Sequence, residues 1–571
     1  MRIVFLGLIL LSIFFFRQIF QGEVWYCCDN LLINIPARVF QKESGFALTN
    51  PYILSGAPFL ADINLAGFYP GNILFWFFEN PFRALTIAII IHFFVAFTGM
   101  YALTKNILSA IVFTFSGALV TYTNNLPMLQ VASLLPWVFW AWNKNLILFV
   151  FFASLQIFAG YAQFMYYTWL LLVFWSIWFL RQRRIRLWRR PKNMWPRLVA
   201  VSAVAIITSI QVVPFLQVAR ESTRASFGYE YAVFDSLNPL ATVRLFIPWS
   251  VGILNQGTAW VMGGSVYGYV GVLPIIFAAV ASRRKPIVRF FLVIAVASFF
   301  LALGKYNPLY PVLIKIIPGL GSFRSPQHFL LLWTFAISIL AGFGVERRKT
   351  VRTWFAWVAG AMIFAAFVAP FITIRQTPPQ IRSLIVQNSA ISAIMLSLLY
   401  KYPTRFFVSL FLFIDLFLFT RSNIITLPQS TVNSWLEKSA QVAQKIESDG
   451  KMYVHRDLYA APIQKQFGKF DWPGEAAWQV AILRPNINML YHLASIDGYA
   501  AVVSNDYQKS FGVAATDPTG VNMGEITGEK LLLWGVDSVL APTDPKYIEK
   551  LFPLVLSDWL GNMAIYRVAR K

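Results

Sequence analysis

Two carboxylates near the start of the chain, Asp29 in CCDN and Asp62 in GAPFLADINLAGFYP, have the chemistry of a general base or of a ligand to a divalent cation. Asp is equally a helix N-cap, and that plainer role is open for both. Glu23 and Glu43 share the stretch and carry the same potential less distinctively. Four residues further on suit phosphate. Arg220 and Arg224 stand four apart, on one face if their helix continues. Arg324 and His328 are one turn apart in FRSPQHF. The guanidinium fork takes phosphate oxygens two at a time. The alternative for each arginine is snorkelling towards water or headgroups.

The remaining titratable groups narrow the chemistry. Asp415 in FLFIDLFLFT lies within an apolar run, where polar groups are functional suspects. It admits a proton relay or a structural role. His92 reads as a helix contact, and His455 and His492 as ordinary polar residues. Cys27 and Cys28 are adjacent with no third cysteine, and strain in a bridge between neighbours favours free thiols. The sequence has no Cys/His metal spacing, no Gly-rich phosphate cradle and no nucleophile elbow. A divalent cation remains compatible with the acids. No nucleotide cofactor is expected, and ATP-driven transport is unsupported.

The elements that must position these residues are membrane helices. Of the 571 residues 57% are hydrophobic and only 13% charged, against about 25% charged in ordinary domains. The net charge of +23 is equally telling once it is divided. Residues 421–571 hold 15 basic and 15 acidic residues, leaving 33 against 10 for residues 1–420. Excess positive charge confined to the apolar part reads as topology, and no nucleic-acid partner is expected. Thirteen spans are expected, near 3–20, 84–104, 107–123, 126–142, 145–160, 163–180, 198–218, 267–281, 287–303, 326–345, 353–373, 382–400 and 406–420. The positive-inside rule places Lys105, Lys144, the cluster 181–197, Arg283–Lys285, Arg347–Lys349, Lys401 and Arg405 in the cytoplasm. The N-terminus is then cytoplasmic and residues 421–571 extracytoplasmic, in the plasma membrane's outer compartment.

Acids run the other way. Glu23, Asp29, Glu43, Asp62, Glu79, Glu221, Glu230 and Asp235 fall in or beside outer connections. Acids hardly influence orientation, so their gathering points to chemistry on the outer face. The two long outer loops, 21–83 and 219–266, belong to a multispanning all-α domain over 1–420. Residues 421–571 read as a small α/β or α+β domain: NSWLEKSAQVAQKIESDG as an amphipathic helix, KMYVHRD as a strand, LLLWGVDSVLAP as helix end, turn and buried strand, and LFPLVLSDWLGNMAIYRVAR as two strands across a turn.

Several stretches resemble YfhO-like bacterial membrane proteins: CCDN, LSGAPFLADINLAGFYP, GLGSFRSPQHF, NINMLYHLASIDGYAAVVSNDY and LLLWGVDSVLAP. That family is similar to the glycosyltransferase-C superfamily. The resemblance implies a multispanning enzyme that uses a polyprenyl-phosphate-linked sugar at the outer face. It implies a catalytic role for Asp29, with Asp62 as the second loop acid and basic residues on the departing phosphate. Function is thus expected to be transfer of a sugar to an extracytoplasmic cell-envelope acceptor, with membrane lipid as the surroundings. Two other classes stay open: a flippase or transporter of a lipid-linked saccharide, and a non-catalytic envelope assembly factor.

Overall fold

The structure, a computed structural model, describes residues 15–180, 195–222, 228–246, 265–348, 352–368, 379–446, 450–459, 472–500, 503–511, 526–543, 554–560 and 563–568. Of the expected first span only Phe15 onward falls in this set, and most of the basic cluster 181–197 lies outside it.

Among the described residues five helices are long and apolar enough to cross a membrane: Pro81–Thr104, Ala162–Phe179, Trp195–Arg220, Pro326–Arg347 and Arg405–Asn423. This is a membrane protein. Shorter apolar helices include Leu146–Phe158 and Pro286–Ala302. A helix end in lipid lacks water for its free N–H groups, so side chains take that part. Asn80 accepts from the backbone N–H groups of Phe82 and Arg83 at 3.0 and 3.1 Å, with Pro81 at the first helical position. Asn145 does the same for Ile147 and Leu148 at 2.9 and 3.1 Å.

Two of the expected spans, 107–123 and 267–281, are not continuous helices. The first divides into Ile107–Thr114 and Gly117–Tyr122. The second is a tight turn over Ser265–Gly268, a non-helical passage and the nine-residue helix Val272–Val280. The breaks abut one another. The Gly117 N–H donates to the Tyr269 carbonyl at 2.6 Å, and Asp415 accepts from the Val272 N–H at 3.1 Å and from the Tyr269 hydroxyl. Irregular backbone at membrane depth persists where neighbouring protein completes its hydrogen bonds. Gly271 is required here: its φ is 89°, and a Cβ would stand 2.9 Å from Asp415 Oδ2. Hydropathy hides such breaks because a glycine barely changes it.

Close helix contacts rest on glycine as well. A Cβ on Gly344 would overlap the backbone carbonyl of Phe277, whereas one on Gly360 meets nothing within 4 Å. Small residues allow such backbone approach between membrane helices. Gly344→Ala should therefore cost about 1–3 kcal/mol, read as a lower melting temperature in detergent, while Gly360→Ala leaves it unchanged. Equal melting temperatures would show that the two helices can part without penalty.

The first long connection does not hang free. Its strand Glu23–Trp25 pairs antiparallel with Thr426–Pro428, in register Val24 to Leu427. The pairing brings the start of the first connection beside the end of the helix Arg405–Asn423. Residues 421–571 contribute a five-stranded sheet ordered 494–495, 451–454, 536–542, 563–568, 554–560. The first three strands are parallel and the last two join antiparallel, with Val539 opposite Tyr566 and Trp559 opposite Ala564. Ala37, Phe40, Ile53, Leu54, Ala57 and Phe59 of the connection share one core with Tyr453, Ile496, Val539 and Tyr566 of this region. Backbone bonds join Leu54 N–H to the Asp497 carbonyl at 3.1 Å and Ser495 N–H to the Tyr52 carbonyl at 2.9 Å. The connection packs with the sheet as one unit rather than lying along the membrane surface alone.

Candidate functional site

Asp29 opens the helical turn that runs on into Ile35–Ser44. Its neighbour Asn30 fixes its place. Asn30 is buried, donates to the Thr123 carbonyl at 2.7 Å and accepts from the Leu126 N–H at 3.0 Å. This clamps the start of the first connection onto the turn before the helix Leu126–Lys144. From that turn Asn125 donates its amide to Asp29 Oδ2 at 2.7 Å. The Asp29 side chain is reached by solvent yet closely surrounded by protein. The crowding raises its pKa above the ordinary 3.8, with Asn125 and the Arg324 charge opposing the rise.

Arg324 comes from the turn before the span Pro326–Arg347, near enough for its charge to act on Asp29. Its carbonyl accepts from Gln163 at 2.7 Å, and its guanidinium lies 5.9 Å from the Phe234 ring centroid. It is half-buried, and among the described residues no carboxylate comes within ion-pairing distance of it. It acts electrostatically on Asp29, Asp235 and His328. Asp235 accepts from the Gln327 amide and from Ser325, and burial raises its pKa above 3.8. Both carboxylates lie within electrostatic reach of the Tyr267 hydroxyl. His328 is buried behind them, its ring packed by Tyr161, Phe164 and Tyr267, with Tyr161 Oη and Gln163 Oε1 each 3.4 Å from Nδ1.

Backbone strain collects at this place. Four of the eleven described non-glycine residues with positive φ, namely Cys28 (67°), Tyr161 (50°), Asp235 (59°) and Ser325 (59°), sit on the turns that meet here. Such conformations persist where surrounding structure holds them, and they cluster at functional sites.

The structure corrects one expectation about Cys27 and Cys28. They are joined by a disulfide, with Cα atoms 3.8 Å apart, rather than left as free thiols. The left-handed backbone at Cys28 accommodates the small ring, and the Cys28 carbonyl accepts from the Leu31 and Leu32 N–H groups at 3.1 and 3.2 Å. The bridge therefore sits on the turn that presents Asp29. Maleimide should label neither cysteine in the untreated protein and should label both after reduction. Labelling without reductant would contradict the bridge.

The other expected site residues fall elsewhere. Asp62 caps the short turn Ile63–Leu65, accepting from the Asn64 N–H at 2.9 Å, and lines a small cavity with Asn50, Asn486 and Tyr499. Arg220 is exposed at the end of its helix, whose next residues meet the sheet region through the Asn505 N–H and the Glu221 carbonyl at 2.9 Å. Arg224 lies outside the described residues. Glu23 accepts from the Thr426 hydroxyl, and Glu43 pairs with His492 at 2.8 Å, so both latch the first connection to residues 421–571. Asn125, Asp235 and Gln327 had no distinguishing mark in the sequence. Asp235 was visible only as one of eight outer acids. Among the described residues no three His, Cys, Asp or Glu side chains converge as a metal cluster. A divalent cation here would draw on Asp29 and Asp235, where Arg324 already supplies positive charge.

The mostly helical architecture with several apolar helices is similar in fold to a solved membrane protein of the glycosyltransferase-C fold. Specifically, the chain is similar to ArnT from Cupriavidus metallidurans bound to undecaprenyl phosphate, with a TM-score of 0.52 at 12% identity over 99% of this chain and 97% of that one. The apo state of the same protein gives 0.47 at 12% identity over 94% and 92%. At such identity the likeness speaks for the fold. No family model matches the sequence, and no curated protein matches it.

Proposed function

We propose that the protein is a membrane glycosyltransferase that moves a sugar from a polyprenyl-phosphate-linked donor to a hydroxyl of a cell-envelope acceptor. The observation that carries this is the solvent-reached Asp29 within the field of Arg324, which has no ion-pair partner among the described residues. The acceptor oxygen attacks the anomeric carbon and its proton passes to Asp29 as general base. The bond between that carbon and the phosphate oxygen breaks, and the phosphate leaves with the electron pair, stabilised by Arg324. Attack opposite the leaving group inverts the anomeric centre. Asp29 is preferred to Asp62 as base because solvent reaches it and the Arg324 charge acts on it, whereas Asp62 is buried as the cap of a short turn.

Three further points support the reading. Two of the stretches that resemble YfhO-like proteins, CCDN and GLGSFRSPQHF, carry Asp29 and the Arg324 whose charge acts on it. The basic Lys105 ends the helix that begins beside Arg83, so it lies at the face opposite the first connection, as an extracytoplasmic site requires. The fold neighbour binds undecaprenyl phosphate, which suggests the donor's lipid. A transport path would instead draw on mid-membrane polar groups. His92 is held by Tyr69 at 2.8 Å and the Ala88 carbonyl at 2.6 Å, and Asp415 by Tyr269 and Val272.

The test uses purified protein in nanodiscs with a panel of undecaprenyl-phosphate-linked hexoses and envelope fractions as acceptor. Appearance of undecaprenyl phosphate and labelled acceptor, both dependent on Asp29, supports the proposal. Movement of donor across the bilayer with no covalent product would overturn it.

A further inference from the structure

Asp235 has no task in the transfer step as written, yet it is fixed with care. The Ser325 N–H donates to the Phe234 carbonyl at 2.9 Å, while the Ser325 and Gln327 side chains bond the Asp235 carboxylate. Asp235 and Ser325 both take left-handed backbone to make this reciprocal clasp. The next residues are anchored too: the Leu237 N–H reaches the Ala302 carbonyl at 2.9 Å, and Ser236 Oγ accepts from the Lys305 N–H at 3.0 Å. The clasp sets Arg324 over the Phe234 ring, beside a carboxylate that cannot follow it.

We propose that Asp235 is the resident counter-charge of Arg324, a positioning residue whose fixed negative charge limits how tightly the departing polyprenyl phosphate is held. This rests on the reading of Arg324 as the phosphate ligand. The donor is a phosphodiester with one negative charge. Once the sugar leaves, the phosphate becomes a monoester with about −1.5 to −2 charges at neutral pH. A lone arginine would therefore grip product more tightly than donor, and release would slow the cycle. A carboxylate pinned nearby repels the added charge and restores the balance. Asp235 touches Arg324 by neither ion pair nor hydrogen bond among the described residues, so its effect is through the field.

Binding of undecaprenyl phosphate to the full chain in nanodiscs tests this, with wild type, Asp235→Asn, Asp235→Ser, Arg324→Gln and the double variant D235N/R324Q. Both neutral variants should bind undecaprenyl phosphate about three- to tenfold more tightly at low salt, with the gain shrinking as salt rises. Product inhibition should strengthen in parallel, and kcat should fall while KM for the donor does not rise. The gain should shrink in the Arg324→Gln background, where the phosphate is no longer drawn beside Asp235, and Asp235→Glu should restore wild-type affinity. Unchanged or weaker binding in a neutral variant that elutes as a folded monodisperse species overturns the proposal. A gain undiminished by loss of Arg324 overturns it as well. If wild type binds no undecaprenyl phosphate, the reading of Arg324 falls and this inference falls with it. Binding that depends on Arg324 but ignores Asp235 sinks this inference alone.

Discussion

Asp29→Asn should insert and fold normally and lose transfer by a factor of about 10² to 10⁴, the usual worth of a positioned general base. Asparagine can keep the contact with Asn125 after an amide flip, so the clamp made by Asn30 is undisturbed. What it cannot do is take a proton from the acceptor. The wild-type rate should rise with pH through a pKa above the ordinary 3.8, because burial raises the carboxyl group in the fold. The variant should lose that limb. Stability moves the opposite way. A folded-state pKa above the unfolded one means that the protonated form is favoured by folding. That stabilisation is complete below 3.8 and is lost as pH rises through the raised value. At neutral pH the charged Asp29 is therefore a cost, and Asp29→Asn should melt slightly higher than wild type while being inactive. A variant with full activity, or one that melts well below wild type, removes Asp29 from the role of base.

What was legible in the sequence follows from which forces act locally. The membrane class came from composition, and the main helices from runs of apolar residues, with Asn80 and Asn145 marking their starts. The strand segments around 451–454, 536–542 and 563–568 likewise coincide with the alternating and apolar stretches of residues 421–571. Asp29 stood out because it follows an expected span closely and lies in a stretch that resembles YfhO-like proteins. The partners that define its chemistry did not. Asn125 is 96 residues away, and Asp235 meets Gln327 across 92 residues. No periodicity encodes such contacts, because they arise only when the turns before two helices converge. The same limit hid the helix breaks at Ser116 and Tyr269, where one segment's free N–H finds another's carbonyl. It also hid the sheet's use of Ile53 and Phe59, whose apolar character reads locally as membrane-surface helix. The Cys27–Cys28 bridge was missed for a different reason. The usual Cα separation for disulfides, about 4.4–6.8 Å, exceeds the 3.8 Å between these neighbours, so local geometry argues against the bridge that the fold contains.

Arg324→Gln should lower kcat/KM for a lipid-linked donor by about 10² to 10³, the cost of losing one preorganised charge on a leaving oxyanion. The turn itself should survive, because Gln163 holds the Arg324 backbone carbonyl rather than its side chain. The deficit should fall mainly on kcat, since negative charge on the leaving oxygen grows towards the transition state and the interaction strengthens with it. Lysine offers one compact charge without the planar fork, so Arg324→Lys should recover only part of the rate. These two variants also separate the competing account of Arg324 as a snorkelling residue. A guanidinium that merely reaches for water or headgroups contributes nothing to the chemical step, and lysine snorkels as well as arginine does. Glutamine would then change kcat/KM by less than about threefold, and lysine would match wild type. The arrangement around Arg324 favours the larger effect. Membrane-facing arginines find headgroup phosphates on the lipid side, whereas this one is half-buried between Phe234 and two carboxylates it does not touch. A cation held in that way is stabilised by neighbouring negative charge without being neutralised in a contact pair, and its fork stays available for an anion that comes beside it. Steady-state kinetics of the three proteins on one donor, at fixed ionic strength, decide between the two accounts.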